Sequence, residues 1–212
     1  MADFALNISL GNALALLGAL VVLAAIPGLS VLTVTSRSAA FGFRHGVLTT
    51  IGILCGDIIF IVIAVLGLVF LVQTFEGFSS IISSIGGLYL LWLGFLTWQS
   101  SSRLEPSAEF NDASLFSSFF TGLMITLADQ KAILFYLGFF PAFIDLKVLS
   151  LADFLIVICL TILGVGGVKL AFAALADRAV VFWGSNILRR INVLAGGLMC
   201  AIGLYLIARP FL

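Results

Sequence analysis

Charge is scarce in this chain. Ten Lys and Arg and ten Asp and Glu are spread over 212 residues, 9% of the total, where ordinary soluble domains carry about 25%. The sequence has one His, three Cys and four Pro. A lone imidazole, His45, excludes a clustered histidine metal site. Cys55, Cys159 and Cys200 lie far apart with no C-x-x-C, which excludes a zinc-ligand spacing and leaves small buried hydrophobes as their simplest reading. Zero net charge offers nothing to a phosphate backbone, so no nucleic-acid partner is expected. "GVGGVK", ending at Lys169, lacks the G-x-x-x-x-G-K-[ST] spacing of a phosphate loop, and neither nucleotide hydrolysis nor any cofactor is expected.

What is abundant is apolar surface. Hydrophobic residues make up 62% of the chain and mean hydropathy is +1.28, the composition of an integral membrane protein whose partners are the lipid bilayer and whatever crosses it. Six apolar runs reach about 20 residues or more, at about 10–34, 47–72, 79–99, 115–143, 150–176 and 190–210. They lack the alternation of a membrane barrel, so an all-α polytopic protein is expected. The first run follows Asp3 rather than a basic segment and is too long for a signal peptide, so it should remain in the mature protein.

The basic residues orient the spans. Arg37 and Arg44 lie between runs one and two, Arg103 between three and four, and Arg178, Arg189 and Arg190 between five and six. The positive-inside rule puts those three loops in the cytoplasm and both termini on the other side of the cell (inner) membrane. His45 then reads as a solvated loop residue.

"IGGLYLLWLG" (85–94) resembles "AGGLMCAIGLYL" (195–206), and each closes a group of three spans. Odd-numbered halves cross the bilayer in opposite senses, so residues 1–212 read as one transmembrane domain of two inverted three-helix repeats. Repeat one is about 1–99, the polar linker "SSSRLEPSAEFNDAS" is residues 100–114, and repeat two is about 115–212. Ordinary close packing at glycine is the competing explanation of the Gly-Gly-Leu match.

Binding sites in such repeats are expected where helices break at corresponding positions. In repeat one, Pro27 removes an amide donor and Gly28 removes steric restraint. In repeat two, Asp129, Gln130 and Lys131 interrupt span four, and charged residues inside a span are functional candidates by default. Two residues apart, Asp129 and Lys131 cannot share one face of a regular helix, so both serve one site only if the helix opens there. The other intramembrane charges are Asp57 and Lys169, at similar depth on spans two and five. A structural ion pair and a role in substrate or proton handling are both open for these two.

Three stretches, "PGLSVLTVTSRSAAFGFRHGVLTTIGILCGDIIF" (27–60), "GLYLLWLGFLTWQSS" (87–101) and "ADQKAILFYLGFFPAFI" (128–144), together resemble the signature regions of the LysE/RhtB-type amino-acid exporters. The family pattern of Pro-Gly-Pro, Gly-x-Arg-x-Gly, Gly-Asp and Asn-Pro-Lys-Ala corresponds here to Pro27-Gly28-Leu29, Gly42 to Gly46, Gly56-Asp57 and Asp129-Gln130-Lys131-Ala132. Leu29 and Gln130 stand where the family has proline. The resemblance implies a secondary transporter, not an enzyme, that exports amino acids or related zwitterionic metabolites.

An amphoteric substrate agrees with the residues themselves: Lys131 suits its carboxylate, while Asp129 or Asp57 could take its amine or instead carry a coupling proton. A divalent-metal or other small-ion exporter ranks second, and a thiol relay through Cys55 and Cys159 below it. A homo-oligomer is left open.

Overall fold

The computed structural model describes residues 7–74, 88, 91–92, 95, 114–136, 143–144, 149–178, 193–194, 197, 200–201 and 204. Most of spans three and six, the linker and Pro141 lie outside the described residues. Among the described residues every regular element is helical: α1 (Leu10–Ala25), α2 (Leu29–Phe41), α3 (Phe43–Thr74), α4 (Leu115–Ala128), α5 (Gln130–Leu134), α6 (Leu151–Thr161), a π-helical turn (Ile162–Gly166) and α7 (Gly167–Arg178). Among the described residues two stretches, Phe43–Gly67 and Leu151–Ala176, are long and apolar enough to cross a membrane alone. A third, α1 with α2, would span as a pair bent by 63°.

The helix ends follow from local chemistry. Ser9 caps α1 by accepting from the Asn12 amide at 3.2 Å. At the other end, Ile26 is extended and its N–H reaches Val22 at 3.2 Å. Pro27 has no amide to continue the ladder, and Gly28 is extended before α2 begins. The first apolar run is therefore two helices. Between α2 and α3 the turn is the single residue Gly42, at φ 92°, a left-handed conformation that favours glycine. Sequence grounds had suggested a longer basic loop from 35 to 46.

The start of α6 carries a capping box between Ser150 and Asp153. Asp153 also accepts from the amides of Asn7 and Ile8, both at 3.0 Å, tying the chain before α1 to the start of α6.

Among the described residues the closest approach is between α3 and α4. Gly52 faces the Phe119 carbonyl and Gly122 faces the Thr49 carbonyl, so the two backbones touch. Gly56 packs on the Thr126 side chain, whose Cβ is 2.8 Å from where a Gly56 Cβ would sit. Gly164 and Gly166, in the π turn, lie against Leu20 of α1 and Leu54 of α3. Buried Leu16, Leu20, Val34, Ile61, Phe135, Val157 and Ala173 fill the spaces between helices.

A methyl group at the α3–α4 crossing has no room. Gly52→Ala and Gly122→Ala should each force the helices apart at a cost of about 2 kcal/mol or more. Gly67→Ala, with nothing within 4 Å of its added carbon, should be neutral or stabilising by up to about 1 kcal/mol. Melting of the detergent-purified variants checks this, and equal stability of all three would show that the crossing is not tight.

Candidate functional site

The break in span four arises without proline. The Asp129 amide turns back to the Thr126 carbonyl at 3.0 Å, ending α4, and its backbone is extended. Asp129 Oδ1 then accepts from the Lys131 amide at 2.9 Å, capping α5. A short carboxylate side chain that hydrogen-bonds a nearby amide competes with the helical ladder, and here it replaces the proline as the cause of the break.

This opening faces the one at Pro27-Gly28. A cavity of about 270 Å³ lies between them, lined by Gly28, Ser30, Asp57, Thr126, Asp129, Lys131, Tyr136 and Lys169 on its polar side. Leu23, Ile26, Leu29, Ile53, Ala132 and Val165 form its apolar wall. Lys131 Nζ is 3.8 Å from where a Cβ on Gly28 would lie, so a side chain there would meet the ammonium. Pro27 is buried and does not itself line the cavity. Gln130 opens α5, and its side chain lies outside the described residues.

Burial grades the four charges. Asp57 is 4% exposed and Lys169 2%, whereas Asp129 and Lys131 are half-buried. The first pair is the closed end of the cavity and the second its more accessible part. Lys169 Nζ donates to the Ala24 carbonyl at 3.1 Å and to Ser30 Oγ at 2.9 Å, bridging the α1–α2 break from α7. Among the described residues no hydrogen bond joins Asp57 to Lys169. Asp57 instead feels the fields of Lys169 and Asp129 and lies beside the Tyr136 hydroxyl.

Ser30, Thr126 and Tyr136 escaped the sequence reading. Tyr136 is 1% exposed, stacks on Phe60 with ring centroids 6.3 Å apart, and places its hydroxyl beside Asp57 and Thr161. Its one visible signal was a hydroxyl-bearing ring in an otherwise apolar stretch.

Arg37 and His45 are corrected by the structure. Both had been placed in a solvated loop, but Arg37 is buried in α2 and His45 in the first turns of α3. Arg37 Nη1 donates to Ser118 Oγ at 3.1 Å, and Nη2 to Ser117 Oγ at 3.1 Å and Thr121 Oγ1 at 2.9 Å. His45 Nδ1 lies 2.8 Å from the same Ser118 hydroxyl. This cluster fastens α2 and α3 to α4 away from the cavity. The four-residue spacing of Arg37 and Phe41 on α2 was the available clue, and the Phe41 ring contacts both Arg37 and, across the Gly42 turn, His45.

Among the described residues no three His, Cys, Asp or Glu side chains are grouped as a metal ion would require. The arrangement is two carboxylates and two ammonium groups around a small, partly apolar cavity between two broken helices. It can hold opposite charges of one small molecule at once.

The model of the LysE type translocator family matches residues 21–209. The chain belongs to that family. It is accordingly a membrane translocator and not an enzyme. It is 46% identical over 202 residues to an uncharacterized membrane protein of Synechocystis sp., covering 95% of this chain and 98% of that one. A leucine efflux protein of Enterobacter sp. is 31% identical over 138 residues, 65% of each chain. The leucine efflux protein of Klebsiella pneumoniae is 31% identical over 145 residues, 65% of this chain and 66% of that one. No solved structure matches the chain.

Asp129 is half-buried on the cavity and Met124 is exposed on α4 outside it, so the two positions distinguish a water-filled cavity from a lipid-covered surface. With Cys55, Cys159 and Cys200 replaced by alanine, Asp129→Cys should react with a charged methanethiosulfonate reagent and Met124→Cys should not. Reaction at 124 alone would show that the cavity is closed to water.

Proposed function

We propose that this translocator exports a small zwitterionic amino acid across the inner membrane, with a proton moving inward in exchange. The observation that carries this reading is the cavity in which Asp57, Asp129, Lys131 and Lys169 meet an aliphatic wall. At about 270 Å³ it lies just below the range of drug-sized ligand sites, which span about 300–1,000 Å³. That size suits one amino acid.

Lys131 and the amide end of α2, which carries no side-chain cap, favour the substrate carboxylate. Asp57 or Asp129 takes its ammonium, and the carboxylate left vacant after release accepts the incoming proton. The aliphatic wall accommodates the side chain, and the leucine efflux proteins among the relatives make leucine the first substrate to test.

The two breaks fall in the first span of each half, as two inverted three-helix repeats in one domain would place them. In this reading both termini lie outside the cytoplasm. A divalent metal is disfavoured as cargo, because two ammonium groups beside the two carboxylates would repel it.

Lys131→Ala should lower leucine export by tenfold or more at near-normal membrane abundance. Cells lacking the transporter should accumulate the exported amino acid and lose it when the wild-type protein is restored. Wild-type export by the alanine variant would remove Lys131 from the site, and unchanged pools of every amino acid would overturn the export reading.

A further inference from the structure

The α1–α2 break exposes the carboxyl end of a half-helix to the cavity. In a continuous helix the Ala24 carbonyl would accept from residue 28, but Gly28 is extended and caps the next helix. Such carbonyl ends, together with a hydroxyl, are where discontinuous-helix transporters hold a coupling cation. Here the position is filled by a residue of the chain. Lys169 Nζ donates to Ala24 O at 3.1 Å and Ser30 Oγ at 2.9 Å, from a side chain only 2% exposed.

The aim of Lys169 has a local cause. The π turn Ile162–Gly166 stands just before α7, and a π turn adds one residue to the ladder. Everything after it is thereby rotated by about 100° relative to an unbroken α-helix. Gly164 and Gly166 let this wider turn lie against Leu20 and Leu54.

We propose that Lys169 is a tethered coupling cation: its ammonium takes the cation position at the broken helix, so the translocator works without sodium or potassium. This rests on the export reading above. An ammonium group has three donors, and two are committed across the break. The charged groups that face it are Asp57 from α3 and Asp129 and Lys131 from the α4–α5 break. The Tyr136 hydroxyl lies behind Asp57.

A free ion empties its site by dissociating, and a tethered one cannot. The charge leaves this position when an N–H bond of Lys169 breaks and its proton passes through a cavity water to form an O–H bond on the Asp57 carboxylate. Transfer to Asp57 leaves a neutral amine and a carboxylic acid. The coupling ion is then a proton by construction, because no other cation can replace the one that is covalently held.

The test uses the purified full-length protein in liposomes loaded with labelled leucine under an inward proton gradient. Wild-type efflux should agree within twofold in sodium, potassium and choline chloride. Lys169→Ala should lose at least tenfold in choline and recover saturably with sodium or methylammonium, small cations that fit the vacated position. Lys169→Met, which fills the space with an uncharged chain, should not recover. Lys169→Gln keeps a donor for Ala24 without the charge, and should be inactive even if the alanine variant does not fold.

A wild-type requirement for sodium or potassium, or wild-type efflux by the glutamine variant in choline, would overturn the proposal while leaving amino-acid export standing. If wild-type protein moves no amino acid, the export reading fails by itself, and melting then tests the cation position. Wild-type Tm should be indifferent to sodium against choline, and that of Lys169→Ala should rise by several degrees with sodium or methylammonium. Insensitivity of the variant to both ions would refute the tethered cation.

Discussion

Lipid offers nothing to satisfy a backbone carbonyl or amide that a helix has released. Two apolar runs of this chain open, at Pro27-Gly28 and at Asp129, and its few charges answer the resulting demand. Lys169 supplies a donor to the Ala24 carbonyl, and Asp129 supplies an acceptor to the Lys131 amide. The groups that make the breaks tolerable are also the groups that line the cavity. In the proposed reading fold and site are therefore the same set of bonds, and a substrate engaging either residue would compete with the backbone for it.

The placement of Asp57 relative to Asp129 is governed by the α3–α4 crossing. Asp57 stands five residues beyond Gly52, and Asp129 seven beyond Gly122, or about 8 and 10 Å along their helices. Because the two backbones touch at those glycines, Asp57 and Asp129 are carried toward the same region. The Arg37–Ser118–His45 cluster adds a second fastening between the same helices.

Several of these features were legible in the residues. Pro27 has no amide, so a weakened helix there follows from one letter of sequence. Asp129 and Lys131, two apart, could serve a common space only through an opening, and the structure contains one. What makes it was harder to see, because the capping oxygen belongs to the same carboxylate that reads as a ligand. The partners of Lys169 had no signature at all. One is a main-chain carbonyl, which every residue has, and it lies 145 residues away on a helix whose end is set by a neighbouring proline. Arg37 and His45 were misplaced for a different reason. Charge counting marks which side of the membrane a loop is on, but not that the helix runs on to Phe41 and resumes at Phe43. The capping box at Ser150 was written plainly in Ser-Leu-Ala-Asp, yet the amides of Asn7 and Ile8 that share its carboxylate were not.

That shared carboxylate has a consequence for biosynthesis. The residues ahead of the first helix find their acceptor in Asp153, 146 positions later for Asn7. At synthesis rates of about 5–20 residues per second, roughly 7–30 s separate the emergence of the two. During that interval the first helix is in the membrane with its leading amides still awaiting Asp153. Asn7 and Ile8 are thus fixed to their acceptor only once the second half of the chain has begun to arrive.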